Sequence, residues 1–315
     1  MKAAFKYFFL FLLFMFAGAM LISIPVLLVI FSIYGKNALG DDPSQNIWFM
    51  SMIILAGDLL VLFMFWKKRY SRFHFGISTN SDETFNYKKL YLWATVGILG
   101  CMFLDIFVQN YVDFPDVDIL ETLTGMMKNP LGLLTICLTG PIAEEAVFRG
   151  AIERRLLEKD WNPWYAIVIS ALFFAVAHFN FAQGATAMAI GIFMGWVYYR
   201  TRNLWPCIVC HVVNNTIATV ASVALPEEYE SSMPLAVNIA LLVFGIAMVA
   251  LAVMQLAKLP KGTAPQPLPE VQPEYPLEAT AGTPLVEGIE VSESVEDAVN
   301  DMPAADSKET QSVED

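Results

Sequence analysis

Histidine and cysteine are scarce in this chain, and its first 261 residues carry no net charge. Three histidines among 315 residues confine imidazole chemistry to His74, His178 and His211, and the H-E-x-x-H signature of helical zinc sites is missing. The four cysteines, Cys101, Cys137, Cys207 and Cys210, all lie within or at the edge of apolar runs, the setting of buried, inert thiols. Cys207 and Cys210 do stand in a C-x-x-C-H sequence ending at His211, the spacing of c-type haem attachment. That attachment takes place in exposed chain on the non-cytoplasmic side, whereas the loop charges described below put these cysteines near the cytoplasmic end of an apolar helix. The haem reading is therefore set aside. No internal repeat relates the two halves of the chain, which argues against a repeat-built transporter.

Net charge is missing from the body of the chain and concentrated at its end. The net charge is −12, yet thirteen of the 31 acidic residues and one of the 19 basic residues follow Lys261. The remainder is neutral. Residues 261–315 are rich in Pro, Glu, Ala, Val and Thr, hold Tyr275 as their one aromatic residue, and show no sustained periodicity. They read as a disordered, acidic cytoplasmic tail, and 1–260 as a transmembrane domain.

What the chain has in abundance is apolar sequence, 56% hydrophobic residues with a mean hydropathy of +0.52. A helix that crosses a bilayer needs about 20 mostly apolar residues. Stretches of that kind fall at 5–34, 47–66, 89–111, 131–153, 163–180, 183–200, 204–225 and 234–257, giving an all-α, polytopic membrane helix bundle of about eight spans. Ala17-Gly18-Ala19 resembles a signal-peptidase site, but the apolar run continues well past it, so the first span reads as a retained anchor. Lys and Arg gather in alternate loops, at 67–72, 88–89, 154–159, 200–202 and 258–261, while the opposite loops hold only Lys36 and Lys128. By the positive-inside rule both termini are cytoplasmic, and the compact loops point to a bacterial inner membrane. Losing one span would invert every later loop and destroy this asymmetry.

Several polar residues interrupt the apolar runs, where they are costly and usually functional. The fourth span carries Glu144, Glu145 and Arg149 just after Gly140-Pro141, and a proline there fits a kink or the first turn of a fresh helix. Glu145 and Arg149 have the i, i+4 spacing of an ion pair, which leaves Glu144 without a helical partner and free to act as a base. His178 ends the fifth span, and His211 and Asn215 share one face of the seventh. His74 lies in a cytoplasmic loop and has no assigned role. Gly184, Gly191 and Gly195 stand at spacings that set helix packing. Spans one to three and eight carry no motif.

These residues resemble the CPBP intramembrane proteases, the family that includes type II CAAX prenyl endopeptidases and bacteriocin-related, Abi-like members. Its motifs E-E-x-x-x-R, F-x-x-x-H and H-x-x-x-N read here as Glu144 to Arg149, Phe174 to His178, and His211 to Asn215. The resemblance covers about Gly140 to Thr216. It implies an intramembrane endopeptidase in which Glu144 activates a water, His178 helps to hold that water, and His211 with Asn215 stabilises the oxyanion. Glu145 and Arg149 would brace the site, or Arg149 would receive a substrate carboxylate. The resemblance implies no cofactor in its glutamate-protease form, with a catalytic zinc on Glu144, His178 and His211 as the alternative. Its implied partners are a membrane or membrane-associated protein or peptide substrate and the lipid bilayer, with no nucleic acid. Two other functions stay open: a non-catalytic scaffold or chaperone on the same fold, and a proton-coupled transporter. If the C-x-x-C-H match is accidental, the double variant Cys207→Ser/Cys210→Ser is expected to be as active as the parent. The purified protein should then show no haem absorbance, and lost activity or lost colour in the variant would restore the cysteines to a role.

Overall fold

A computed structural model describes residues 1–34, 46–80, 84–112, 119–159, 161–224 and 233–263. The expected tail lies outside the described residues from 264 onward. Within them the chain forms helix α1 (Lys2–Tyr34), α2 (Ile47–Lys67), α3 (Tyr87–Tyr111) and the short α4 (Ile119–Met127). There follow α5 (Pro130–Leu157), α6 (Pro163–Ala177), α7 (Phe181–Thr201), α8 (Trp205–Ala224) and α9 (Leu235–Ala257).

Asparagine starts many of these helices. Asn46, Asn86, Asn129, Asn162 and Asn180 each accept a backbone N–H from the first turn of the helix that follows, satisfying a donor that has no partner within the helix. Two of the five are followed at once by proline, Asn129-Pro130 and Asn162-Pro163. Proline suits the first helical position because its missing N–H would be unpaired there anyway.

Among the described residues seven helices are long and apolar enough to cross a membrane, and α6 is a shorter apolar helix. The span expected at 163–180 is thus 15 residues of helix, which at 1.5 Å per residue reaches about 22 Å. Helix α6 stops because Phe179 takes a left-handed backbone, φ 51°, a conformation that turns the chain out of the helix. Asn180 then caps α7, so α6 and α7 form a tight hairpin.

Three helix pairs pack along their lengths, α1 with α2, α3 with α9 and α6 with α7. Helix α5 runs among them, in contact with α1, α2, α4, α6, α7 and α8. Its surroundings are the buried core, with Val147, Phe148, Ala151 and Ile152 all fully enclosed. The outward faces of α1 and α9 instead display Phe9, Phe16, Leu21, Val243 and Met254, as expected where the solvent is lipid.

Small residues serve these contacts. Gly184 and Gly191 face Ala175 and Ala171 of α6, and Gly195 faces Glu153 and Ile167, the packing use expected of them. Gly18, within the sequence that resembles a cleavage site, is where α1 meets α2: a Cβ there would come within 2.6 Å of the Ala56 carbonyl oxygen. Gly18→Leu is therefore expected to destabilise the protein by about 1–3 kcal/mol through overpacking. Lipid-facing Phe16→Leu should leave the thermal unfolding midpoint in detergent unchanged. Equal midpoints for both variants would contradict this packing.

Candidate functional site

Helix α5 carries the acidic pair and is wound unevenly around it. An ordinary α-helical stretch, Gly140–Val147, lies between two wide turns of π type, Thr135–Thr139 and Phe148–Glu153. The helix is thus continuous where a kink or a restart was expected at Gly140-Pro141. In the first wide turn the Gly140 N–H bonds to the Thr135 carbonyl, five residues back. By the same step the Ile136 carbonyl would meet residue 141, a proline with no N–H. That orphaned acceptor takes its hydrogen bond from Asn215 Nδ2 on α8, 2.9 Å away. Wide turns often mark functional sites, and here neighbouring hydroxyls serve the second one. Ser170 Oγ donates to the Phe148 carbonyl at 2.8 Å, and Ser71 Oγ donates to the Ala146 carbonyl.

Glu145 is fully enclosed. Its Oε1 sits 2.8 Å from Arg149 Nη1 and 2.9 Å from His211 Nδ1. Arg149, also fully enclosed, donates from Nη2 to the Gly191 carbonyl at 3.0 Å and lies over the Phe174 ring at 4.8 Å. The expected i, i+4 ion pair is present, and it is tied to α6 through Phe174, to α7 through Gly191 and to α8 through His211. Arg149 makes all of these contacts inside the protein.

With Nδ1 turned to Glu145, His211 presents Nε2 to Glu144, whose Oε2 is 3.5 Å away. The Glu144 side chain is 26% exposed against 0% for Glu145, so Glu144 is the carboxylate of the pair that can meet a water or a ligand. His178 lies alongside: its Nδ1 is 2.9 Å from the Phe174 carbonyl oxygen. The Phe174 ring stands edge-on to both His178 and His211, with centroids 5.0 and 5.5 Å apart. Asn215 has one amide N–H committed to Ile136, and its Oδ1 accepts from Asn214 Nδ2 at 3.1 Å, which fixes the amide's orientation and leaves its second N–H.

A catalytic zinc on Glu144, His178 and His211 would need the three to converge. Glu144 and His211 are in contact, and His178 turns its Nδ1 to the Phe174 carbonyl. Among the described residues no group of three His, Cys, Asp or Glu side chains is placed to hold a metal ion. As the side chains stand, Glu144, His178 and His211 do not form such a group.

The structure adds polar residues that the motif search passed over. Asp58, the one ionisable residue in the apolar stretch 47–66, is buried in α2 and accepts from Thr139 Oγ1 at 2.9 Å. Its position inside a span was the signal. Glu153 is fully buried one turn beyond Arg149, and neither of its oxygens has a hydrogen-bond partner among the described residues. His74 lies in the loop after α2, where burial pushes its imidazole below the usual range. That loop is pinned to α8, with Phe75 stacked on Trp205 at 5.1 Å and the His74 and Gly76 carbonyls bonded to Asn203. Cys207 and Cys210 are fully buried core residues of α8, consistent with inert thiols.

Residues 127–217 match the family model described as type II CAAX prenyl endopeptidase Rce1-like. The chain is 30% identical over 100 residues to a putative membrane peptidase, YdiL, of Bacillus subtilis, covering 32% of this chain and 41% of that one. It is 29% identical over 105 residues to the membrane-embedded CAAX protease MroQ of Staphylococcus aureus, covering 32% of this chain and 42% of that one. The chain thus spans about two fifths of the length of these curated relatives. No solved structure matches it.

Removing one partner of a buried ion pair strands the other charge. Arg149→Leu is therefore expected to cost about 3–5 kcal/mol of stability, and the double variant Glu145→Leu/Arg149→Leu much less. Thermal unfolding in detergent checks this, and a double variant as unstable as the single would mean that the pair is not what burial demands.

Proposed function

We propose that this multi-pass membrane protein, an Rce1-like family member through its residues 127–217, is an intramembrane endopeptidase that hydrolyses a peptide bond with a water activated by Glu144. The observation that carries the reading is the division of labour between adjacent carboxylates. Glu145 is sealed and spent on Arg149 and His211, while Glu144 is partly open and faces the free nitrogen of His211. Peptide hydrolysis needs a base within reach of a water and donors where negative charge develops on the carbonyl oxygen.

In this reading Glu144 takes a proton from the attacking water, and His178 holds that water through Nε2, its Nδ1 being turned to the Phe174 carbonyl. His211, as an imidazolium that gives its Nδ1–H to Glu145 and its Nε2–H to the site, and the uncommitted N–H of Asn215 stabilise the oxyanion, and Glu144 returns its proton to the leaving amine. Glu145 fixes which nitrogen of His211 faces the reaction, and Arg149 fixes Glu145. The substrate is a membrane or membrane-associated protein or peptide. The protein lies in the cell membrane with both termini in the cytoplasm, 1–260 forms the protease domain, and the acidic tail from 261 is a separate cytoplasmic segment. Catalysis needs no metal.

The test compares membrane-protein termini in host cells carrying wild type or Glu144→Gln at matched membrane levels. New termini are expected with wild type alone, and cleavage of the same bond by purified protein should persist in a chelator. In that purified assay His211→Ala and Asn215→Ala should each lower kcat by roughly 100- to 1,000-fold, the scale of one lost oxyanion donor, with KM little changed. Identical termini under conditions where wild type rescues a deletion phenotype would transfer the reading to a scaffold on the same fold.

A further inference from the structure

Glu144 owes its direction to the wide turn that precedes it, and that turn is held from two sides. On one side Asn215 of α8 takes the Ile136 carbonyl that Pro141 leaves orphaned. On the other side Thr139, the last residue of the turn, donates its hydroxyl to Asp58 Oδ2 of α2 at 2.9 Å. Gly140 lies beside Asp58: a Cβ built there would make ordinary van der Waals contact with Asp58 Oδ2, at 3.7 Å. Gly140 and Glu144 are four residues apart and therefore share a helix face. The Asp58 carboxylate thus sits one helical turn before Glu144, on the side from which Glu144 projects.

Burying a carboxylate in an apolar span is costly, and intramembrane acids persist where they have a task. Asp58 is 3% exposed and makes no salt bridge among the described residues. If it served packing alone, an apolar side chain of similar volume would serve better. Its hydrogen bond comes instead from Thr139, the last residue of the wide turn.

We propose that Asp58 is a positioning residue for Glu144, acting through the Thr139 hydroxyl to clamp the turn from Thr135 to Thr139 against α2. Helix α2 lies outside the family-matched segment 127–217, so the matched segment does not contain all that orients its own acid. The assignment deepens the endopeptidase reading and rests on it for its consequence in turnover. The placement itself can be tested without a substrate.

The probe is N,N′-dicyclohexylcarbodiimide, an apolar reagent for carboxyl groups within membranes, applied to the purified full chain in lipid nanodiscs. Labelling of the Glu144 and Asp58 peptides is measured separately by mass spectrometry. Thr139→Val keeps the shape and removes the donor, and Asp58→Leu removes the acceptor. Each is expected to raise Glu144 labelling several-fold as the acid loosens from His211, and the double variant should add nothing beyond either single one. Thr139→Ser, which restores the hydroxyl, and Asp58→Asn, which keeps an oxygen to accept it, should label like the parent. Should Asp58→Leu fail to fold, the isosteric Thr139→Val carries the test alone. Glu144 labelling unchanged in Thr139→Val, or equal in Thr139→Ser and Thr139→Val, would overturn the proposal. On the bond whose cleavage depends on Glu144, Thr139→Val should also lower kcat by roughly 10- to 100-fold, the scale of a small misplacement, without moving KM. Cleavage that survives Glu144→Gln would remove the endopeptidase reading and leave the labelling result standing, so the two failures are distinguishable.

Discussion

Glu145 is taken wholly out of solvent, and a carboxylate in that position survives only if its charge is answered at close range. Arg149 and His211 supply the answer from one turn along the same helix and from α8. Arg149, equally enclosed, must then be satisfied in turn, by the Gly191 carbonyl of α7 and the Phe174 face of α6. One buried charge thus recruits a residue from each of three further helices. The crossing of those helices is fixed by electrostatics as much as by the fit of their side chains. What remains over is Glu144, the neighbour that the network does not consume.

The two carboxylates differ by one position in sequence and by everything in circumstance. A step of one residue along a helix turns a side chain by about 100°, enough to move it from the sealed interior to a partly open face. The wide turn before Gly140–Val147 helps to determine which way that face points, because it shifts the angular position of all that follows it. Proline, serine, threonine and asparagine side chains near the turns are explained by the carbonyls that such winding leaves short of partners.

Much of this was legible from the residues. The spans are visible because a bilayer imposes a length and a polarity on any helix that crosses it, and the starts of α5 and α6 are written as Asn-Pro. The Glu145–Arg149 pair follows from its spacing, and the small residues of α7 from theirs. Other features could not be read that way. The shortness of α6 depends on a left-handed Phe179, which no apolar count reveals. The partner of Asn215 is a backbone carbonyl, orphaned by a proline on another helix. Asp58 announces itself only as an acid inside a span, and its meaning appears when Thr139 is seen beside it.

The order of the helices bears on how the bundle is made. The pairs α1–α2 and α6–α7 join neighbours in the chain and can close as soon as their second member is inserted. Helix α3 is different, since its lengthwise partner is α9, which follows α5, α6, α7 and α8 in the chain. Until α9 is inserted one flank of α3 has only lipid or transient partners, while α5 and α8 have already brought Glu145 and His211 into the membrane. The residues of the charged network all precede α9 in the chain, so the network can form before α9 closes against α3.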